Sequence, residues 1–383
     1  MSRIVLFGAT GYTGKLAAHA LRRQGFAPLL VARNAERLRA LASELGGLDT
    51  ATADATEPAS LKRLLSAGDV LVSTVGPFFK HGAAQLSAAL ATGAHYVDSC
   101  GESAYYRYLF EREREAARAA GCAVLTACAY DFFPGNCAAD HVLQLAGSQA
   151  VRVEIGYAGE VPPGYKISTG SQASGLATLL EPGLFWRGGR HVVEPVGVRL
   201  GSFELWNGSR KPGISMAGTE HLFLPELHPQ LRDIDSFWGW AGGATRVVHQ
   251  VYRAAAAIAR RPQLKAWASA ALGRLARSDG SGPTDALRER ATSFVSAAAY
   301  DTHGRKLAVA QLGDVDGFSF TANILAWTAG AISRGALRET GVIGPVQAFG
   351  RQQLQQAHAE CGFQLQSQLL ASTAPAVSPA VSP

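Results

Sequence analysis

The sequence predicts an α/β protein: a doubly wound parallel sheet at the N-terminus, then a second α+β domain whose sheet is mainly antiparallel. Three observations carry this. The first third alternates short, wholly apolar runs with helical segments, the pattern of a parallel sheet covered on both faces. Its first apolar run leads straight into the glycine-spaced stretch GATGYTGK, residues 8–15. Beyond Asp131 the pattern changes to alternating apolar and polar residues with a hairpin signal.

Taken in order, residues 4–7 (IVLF) form a strand, 15–24 a helix closed by Gly25, 29–32 a second strand and 35–45 a helix. A third strand at 50–53, a short helix at 58–66, a fourth strand at 70–74 and a helix at 83–92 follow. Strands at 95–97 and 123–127, with a charged helix at 105–120 between them, complete this set. Later, 151–157 alternates, SFVSAAAYDTHGRKLAVAQLGD reads as a hairpin turning at His303-Gly304, and ISMAGTEHLFLPEL reads as strand. A helical stretch rich in Ala and Arg at 245–277 is broken at 280–282, and the chain is helical again from Ala322. The expected division is a first domain at 1–132 and a substrate and dimerisation domain at 133–320 with a helical insertion at about 240–280. C-terminal helices at 321–370 are expected to pack back on the first domain, ahead of a disordered, low-complexity tail at 371–383.

A chain of 383 residues, 47% hydrophobic and 17% charged, has room for two cores and is not a disordered composition. The net charge of +6 is scattered, with no dense Lys/Arg block interleaved with aromatics, so no nucleic-acid surface is expected. Cys100, Cys122, Cys128, Cys137 and Cys361 show neither CxxC pairs nor zinc-type histidine spacing, so no metal site is expected. Such cysteines suit a reducing compartment. Met1-Ser2-Arg3 leads directly into the first strand, and the most apolar stretch, 318–332, is shorter than the ~20 residues a spanning helix needs. A cytoplasmic protein is expected, with peripheral membrane contact left open.

A strand, glycine loop and helix in succession make a dinucleotide site. The first glycine permits the tight turn, the second lets backbone approach a pyrophosphate, and the third lets the helix pack on the strand. The helix N-terminus then offers free N–H groups to the phosphates. Gly8, Thr10, Gly11, Tyr12, Thr13 and Gly14 are the candidate contacts; a ligand-free turn is the alternative. The second strand ends LLVARN, placing Arg33 where an NAD-specific domain carries an acid. An arginine there pairs with a 2′-phosphate, so NADP(H) is expected, with Asn34 assisting. Asp54, ending the third strand, would meet the adenine edge. Val75, Gly76 and Pro77, after the fourth strand, lie on the nicotinamide side or simply break a loop.

Acid and orienting candidates lie on the loops that such a sheet gathers at its carboxyl edge: Lys80 and His81, Asp98, Cys100 and Glu102, Tyr130 and Asp131. His81 titrates near neutrality and could donate a proton, or could be a packing residue. Asp98 could cap a turn and Glu102 could sit in a helix first turn. Tyr130 could polarise a carbonyl or be a buried aromatic. Asp131 could orient rather than react, and Cys100 is read as a spectator. Phe132, Phe133, Leu184, Phe185, Trp186 and Trp206 suggest a hydrophobic pocket. The basic amphipathic stretch at 246–278 would serve as core or dimer face, as a cover for a lipid-like substrate, or as membrane contact.

Three stretches together, GATGYTG, VGPFFKHGAAQLSAALATGAHYVDSCGE and AYDFFPGNCAAD, resemble the saccharopine dehydrogenase-like oxidoreductases, and within them the trans-acting enoyl reductase branch. GPTDALRERATSFVSAAAYDTHGR and GVIGPVQAFG follow in that branch's order, while 201–278 carries little of the similarity. The resemblance implies a Rossmann-type NADP-binding domain, a second domain completing the substrate cleft, and reduction of a C=C or C=N bond. The chain departs from the family at Asn136, where an aspartate is common, at Tyr130, which replaces the glycine before Asp131, and in STGSQASG, which stands for a glycine-rich SGGT pattern. These departures bear on the substrate. The expected activity is hydride transfer from NADPH to an activated C=C of a small hydrophobic acyl or secondary-metabolite substrate, by a homodimer. One rival is an imine or carbonyl reductase of a biosynthetic pathway, with Arg187 and Arg190 gripping carboxylates. The other is a non-catalytic NADP-binding sensor or scaffold.

Overall fold

Apolar runs that are buried on both faces belong in the interior of a parallel sheet, and the first third of the chain folds accordingly. The computed structural model describes residues 2–275 and 280–370, so the expected tail at 371–383 lies outside the described residues. Its elements begin β1 (Ile4–Phe7), α1 (Tyr12–Arg23), β2 (Leu29–Ala32), α2 (Ala35–Glu44), β3 (Thr50–Thr52) and α3 (Pro58–Lys62). They continue β4 (Val70–Ser73), α4 (Phe78–Leu90), β5 (His95–Asp98), α5 (Ser103–Tyr108), α6 (Arg114–Ala119) and β6 (Ala123–Leu125). Asn34 caps α2 by accepting the Arg37 N–H at 2.9 Å. The charged helix expected at 105–120 is divided, because a π-helical turn at Leu109–Glu113 separates α5 from α6.

The second half runs α7 (Phe133–Ala146), β7 (Arg152–Glu160), α8 (Thr169–Thr178), β8 (Pro182–Arg187), β9 (Arg190–Pro195), β10 (Leu200–Glu204) and β11 (Arg210–Ser215). Next come α9 (Glu220–Leu227), β12 (Asp233–Trp238), α10 (Thr245–Ala259), α11 (Pro262–Leu275), α12 (Asp285–Arg288), β13 (Thr292–Tyr300) and β14 (Lys306–Gly313). The described chain closes with α13 (Gly317–Ser333), β15 (Gly341–Val342), α14 (Pro345–Phe349), α15 (Arg351–Glu360) and β16 (Gln364–Leu369). The stretch read as strand at 220–227 is helix α9. It is apolar on nearly every side, so neither period stands out, and it carries Pro225 within it. Helix α13 starts ahead of Ala322 because Asp316 caps it, accepting the Phe318 and Ser319 N–H groups at 2.9 and 3.2 Å.

The first sheet is wholly parallel, in the order β15-β6-β5-β4-β1-β2-β3. Strand order reverses between β1 and β4, the crevice where doubly wound sheets take ligands. The second sheet runs β10-β11-β12-β7-β13-β14-β16 and is antiparallel except between β12 and β7. Strands β8 and β9 form a separate hairpin. The C-terminal segment serves both units: α13 packs on α1, β1, β4 and β5, β15 extends the first sheet, and β16 edges the second. One continuous apolar core spans both, from Ile4 to Phe363. Phe132, Phe133, Leu184 and Phe185, expected to line a pocket, are filled into packing at 1–6% exposure instead. Among the described residues, no helix is long and apolar enough to cross a membrane.

Candidate functional site

Between β1 and α1 the three glycines have distinct roles. Gly8 takes φ +89°, and a Cβ there would lie 2.6 Å from Thr74 Oγ1 and 2.7 Å from Val75 Cγ2. Gly14 is buried against the loop: a Cβ would come within 2.8 Å of the Gly8 carbonyl carbon and 3.0 Å of Ala9 Cα. Gly11, the N-cap of α1, is open, since its added Cβ would meet only the Gly8 oxygen, at 3.3 Å. Gly11 N–H is turned back onto Gly8 oxygen at 2.9 Å, while the Tyr12, Thr13 and Gly14 N–H groups have no protein acceptor among the described residues. Tight turn, open approach, close packing and free N–H groups are the parts a pyrophosphate cradle needs. Thr10 and Thr13 flank it, half-buried.

The Tyr12 side chain does something else. Its hydroxyl donates to the Pro283 carbonyl at 2.6 Å and accepts from Arg288 Nη1 at 3.0 Å, while its ring meets Phe318 edge-on at 5.1 Å. Segment 280–288 of the second unit is thereby tied over the glycine loop.

At the ends of β2 and β3 a polar group gathers. Arg33 is exposed and has no hydrogen bond or ion pair to another described residue. Asp54 accepts the Thr56 N–H and hydroxyl at 2.8 and 2.7 Å, which holds its carboxyl below the usual range. His81 interacts with both charges, and partial burial with Lys80 lowers its pKa. It stands beside the Arg33–Asp54 group. Asn34 Oδ1 is occupied by the α2 cap. After β4, the Val75 carbonyl accepts from Gln85 Nε2 at 3.1 Å, and the Gly76–Pro77 peptide is cis.

Of the carboxylates at the sheet's carboxyl edge, two are spoken for. Asp98 Oδ1 accepts from Cys100 N, Thr126 Oγ1 and Ala127 N at 2.9, 2.9 and 3.0 Å. It is fully buried, and burial pushes its pKa up to about 6. Glu102 caps α4 from a distance: Oε1 and Oε2 accept the Phe78 and Phe79 N–H groups at 2.9 and 2.8 Å. Ser174 of α8 adds a third bond to Glu102 at 2.8 Å, linking the two units. Burial raises the Glu102 pKa against these bonds. Both are candidate acids from the sequence; in the structure Asp98 Oδ1 and both Glu102 oxygens hold backbone N–H groups, while Asp98 Oδ2 has no partner among the described residues. Tyr130 is held by backbone as well. Its hydroxyl stands 2.9 Å from the Ala158 and Phe294 carbonyls, which face each other across the β7–β13 ladder, so it pins the second sheet.

Asp131 is different. It is half-buried, has no hydrogen-bond partner among the described residues, and burial raises its pKa to about 6. Its Oδ2 faces Gly101, 4.0 Å from where a Cβ would stand. Next to it Phe132 is held at φ +81°, strain that clusters at functional sites. Behind it lies a pair that sequence reasoning missed: Tyr157 donates to Glu220 Oε1, while Glu220 Oε2 has no partner among the described residues. Burial lifts the Glu220 carboxyl to about 8, and the Asp131 charge adds to this. Gly218 leaves the room, since a Cβ there would fall 2.8 Å from Phe132 Cε1 and closer still to Glu220 Oε2. An isolated acid inside GTEHLFL was the available signal. Arg187, a candidate grip for carboxylates, has its Nη1 held at 2.5 Å by Asp235 and the Ile234 carbonyl. Arg190 is exposed at the tip of the β8–β9 hairpin. Among the described residues no group of three or more His, Cys, Asp or Glu could hold a metal ion.

Residues 4–128 match the family model described as the saccharopine dehydrogenase NADP binding domain. A trans-acting enoyl reductase of Mycobacterium ulcerans (strain Agy99) is 32% identical over 149 residues, 37% of this chain and 36% of that protein. One from Mycobacterium leprae (strain TN) is 34% identical over 139 residues, 35% of this chain and 33% of that protein. The matched stretch thus spans about a third of these curated relatives. Saccharopine dehydrogenase (L-Glu forming) from Saccharomyces cerevisiae superposes with a TM-score of 0.60 at 13% identity, over 97% of this chain and 100% of that one, a likeness of fold. Residues 4–128 are thus similar to a saccharopine dehydrogenase NADP binding domain, which supports NADP(H) as the cofactor, and the chain as a whole has the saccharopine dehydrogenase fold.

Proposed function

We propose that the chain is an NADPH-dependent oxidoreductase that reduces an activated C=C bond of a hydrophobic acyl or secondary-metabolite substrate. The observation that carries this is the open Gly11 cradle with unpartnered Arg33 beside it, in a domain similar to a saccharopine dehydrogenase NADP binding domain. Gly8, Gly11 and the N–H groups of Tyr12 to Gly14 hold the pyrophosphate, and Arg33 holds the 2′-phosphate, helped by its neighbour His81. When bound, NADPH would supply the hydride for the β-carbon of the acceptor. Asp131 carries the balancing proton to the α-carbon, because it alone among the edge carboxylates expected from the sequence has no backbone donors to satisfy. Glu220 and Tyr157 lie behind it as its source of protons. The mycobacterial relatives' name, trans-acting enoyl reductase, supports C=C over C=N, as does the engagement of Arg187 by Asp235.

The test is NADPH consumption on a panel of enoyl thioesters, cyclic imines and ketones. Consumption with enoyl thioesters is expected, falling as pH rises through about 6 as Asp131 ionises. Asp131→Asn should lower turnover about 100-fold or more with NADPH affinity unchanged. Tight NADPH binding with no acceptor turned over would hand the chain to the sensor or scaffold class.

A further inference from the structure

Helices α10 and α11 leave an apolar stripe bare. Val247, Val251 and Ile258 of α10 are 66%, 50% and 37% exposed, and Leu264 and Trp267 of α11 are 43% and 73% exposed. At about 100° per residue, Val247, Val251, Ala254 and Ile258 share an arc of about 60° on α10. The stripe is held outward, because the other side of the pair is anchored. Tyr252 packs against Gly197 and the Phe185–Val196–Ala217 cluster, and Ala255 is buried. His249 bonds the Val198 carbonyl at 2.9 Å, and Lys265 pairs with Glu181 at 2.8 Å. Alongside the stripe, Arg246, Arg253, Arg260 and Arg261 are exposed, and none has an acidic partner among the described residues. Residues 245–275 contain no Asp or Glu at all.

We propose that α10 and α11 dock on an anionic lipid surface, with Trp267, Leu264, Val247, Val251 and Ile258 entering the headgroup boundary and the four arginines pairing with lipid phosphates. Basic polar flanks beside exposed Trp and aliphatic residues are the composition of an interfacial helix. Single-sign charge argues against a second copy: a two-fold contact would set the arginines of one patch against those of the same patch. A membrane also demands no matching shape from the ridge. Helix α11 packs on α8, whose Ser174 reaches Glu102, so the lipid face stands one helix away from the edge of the site. The proposal stands independently of the reductase assignment.

The experiment is sedimentation of the full chain with phosphatidylcholine vesicles, alone or with about a third phosphatidylglycerol. Binding to the mixed vesicles at low salt is expected, at least tenfold weaker to phosphatidylcholine alone and weaker again at high salt. Trp267→Ala with Val247→Ser, and separately Arg246→Glu with Arg253→Glu, should each lower binding at least tenfold while melting temperature and NADPH affinity stay unchanged. Failure to bind either vesicle, or binding indifferent to both variant pairs, overturns the proposal. So does a concentration-dependent dimer that the Trp267 variant dissociates, which would give the stripe to a second copy. NADPH titration on the same samples reports separately on the cofactor domain.

Discussion

Replacing Gly14 by alanine sets two opposing effects against each other in one methyl group. The new Cβ would sit 2.8 Å from the Gly8 carbonyl carbon and 3.0 Å from Ala9 Cα, and closer still to the Gly8 oxygen. All three are backbone atoms, so no rotamer change relieves the overlap; the start of α1 must move off the loop. Overpacking of this kind costs about 1–3 kcal/mol. Against it, alanine in place of glycine inside a helix gains at most about 1 kcal/mol. With three backbone atoms overlapped the cost lies at the upper end of that range, so the clash prevails by about 2 kcal/mol, a drop of several degrees at about 2–4 °C per kcal/mol. Gly11→Ala is the contrast, because its Cβ meets only one atom, at 3.3 Å. It should leave the melting temperature unchanged and weaken NADPH at least tenfold, about 1.4 kcal/mol, by filling the approach to the free N–H groups. Thermal unfolding and fluorescence titration read the two effects apart. Gly14→Ala that melts like the parent, or Gly11→Ala that binds NADPH like the parent, would refute the account of the loop.

Arg33→Ala should weaken NADPH at least tenfold in titration and leave NADH nearly unchanged; equal losses for both would remove Arg33 from the 2′-phosphate. Glu220 predicts a stability profile. Its carboxyl is raised from 4.5 to about 8, so its contribution is complete below about pH 4.5 and declines as pH rises towards 8. Glu220→Gln should flatten that decline in melting temperature, and a parent-minus-variant difference constant between pH 5 and about 8 counts against it. Glu102→Ala strips the α4 cap and the Ser174 link, costing about 1–3 kcal/mol in denaturant unfolding. Because Glu102 is an anchor, the pH profile of turnover should keep its midpoint; a displaced midpoint would restore it as an acid.

Most of the parallel sheet was legible in the sequence because β1, β2, β4 and β6 are short, largely apolar runs set off by helices, whereas the two-residue β15 left no such signal. The cofactor loop was legible for a related reason, since each glycine answers to a local steric need. Roles at the carboxyl edge were not. Asp98, Glu102 and Asp131 end or follow strands β5 and β6 on the same edge, and what distinguishes them is whether backbone N–H groups of other segments reach them, which depends on contacts such as Ala127 N and Phe78 N. The single parallel pairing of the second sheet, β12 on β7, joins Asp233 to Arg152 across a long chain separation that leaves no local trace. Tyr130 was ambiguous in the same way, because only the assembled β7–β13 ladder supplies its two carbonyls.

The parallel sheet takes its outermost strand from Gly341–Val342 and its cover over α1 from Gly317–Ser333, residues translated after all but the last strand of the second sheet. During synthesis the nucleotide-binding half must therefore wait, with the flank of α1 and the edge of β6 uncovered, while roughly two hundred residues emerge, some ten to forty seconds at usual elongation rates. A nascent chain in that interval presents bare apolar surface and an open strand edge, the features that chaperones engage and that seed aggregation. Cutting the gene at the apparent boundary after the sixth strand should for the same reason yield an insoluble fragment, and supplying the C-terminal segment in trans is the means of rescuing it.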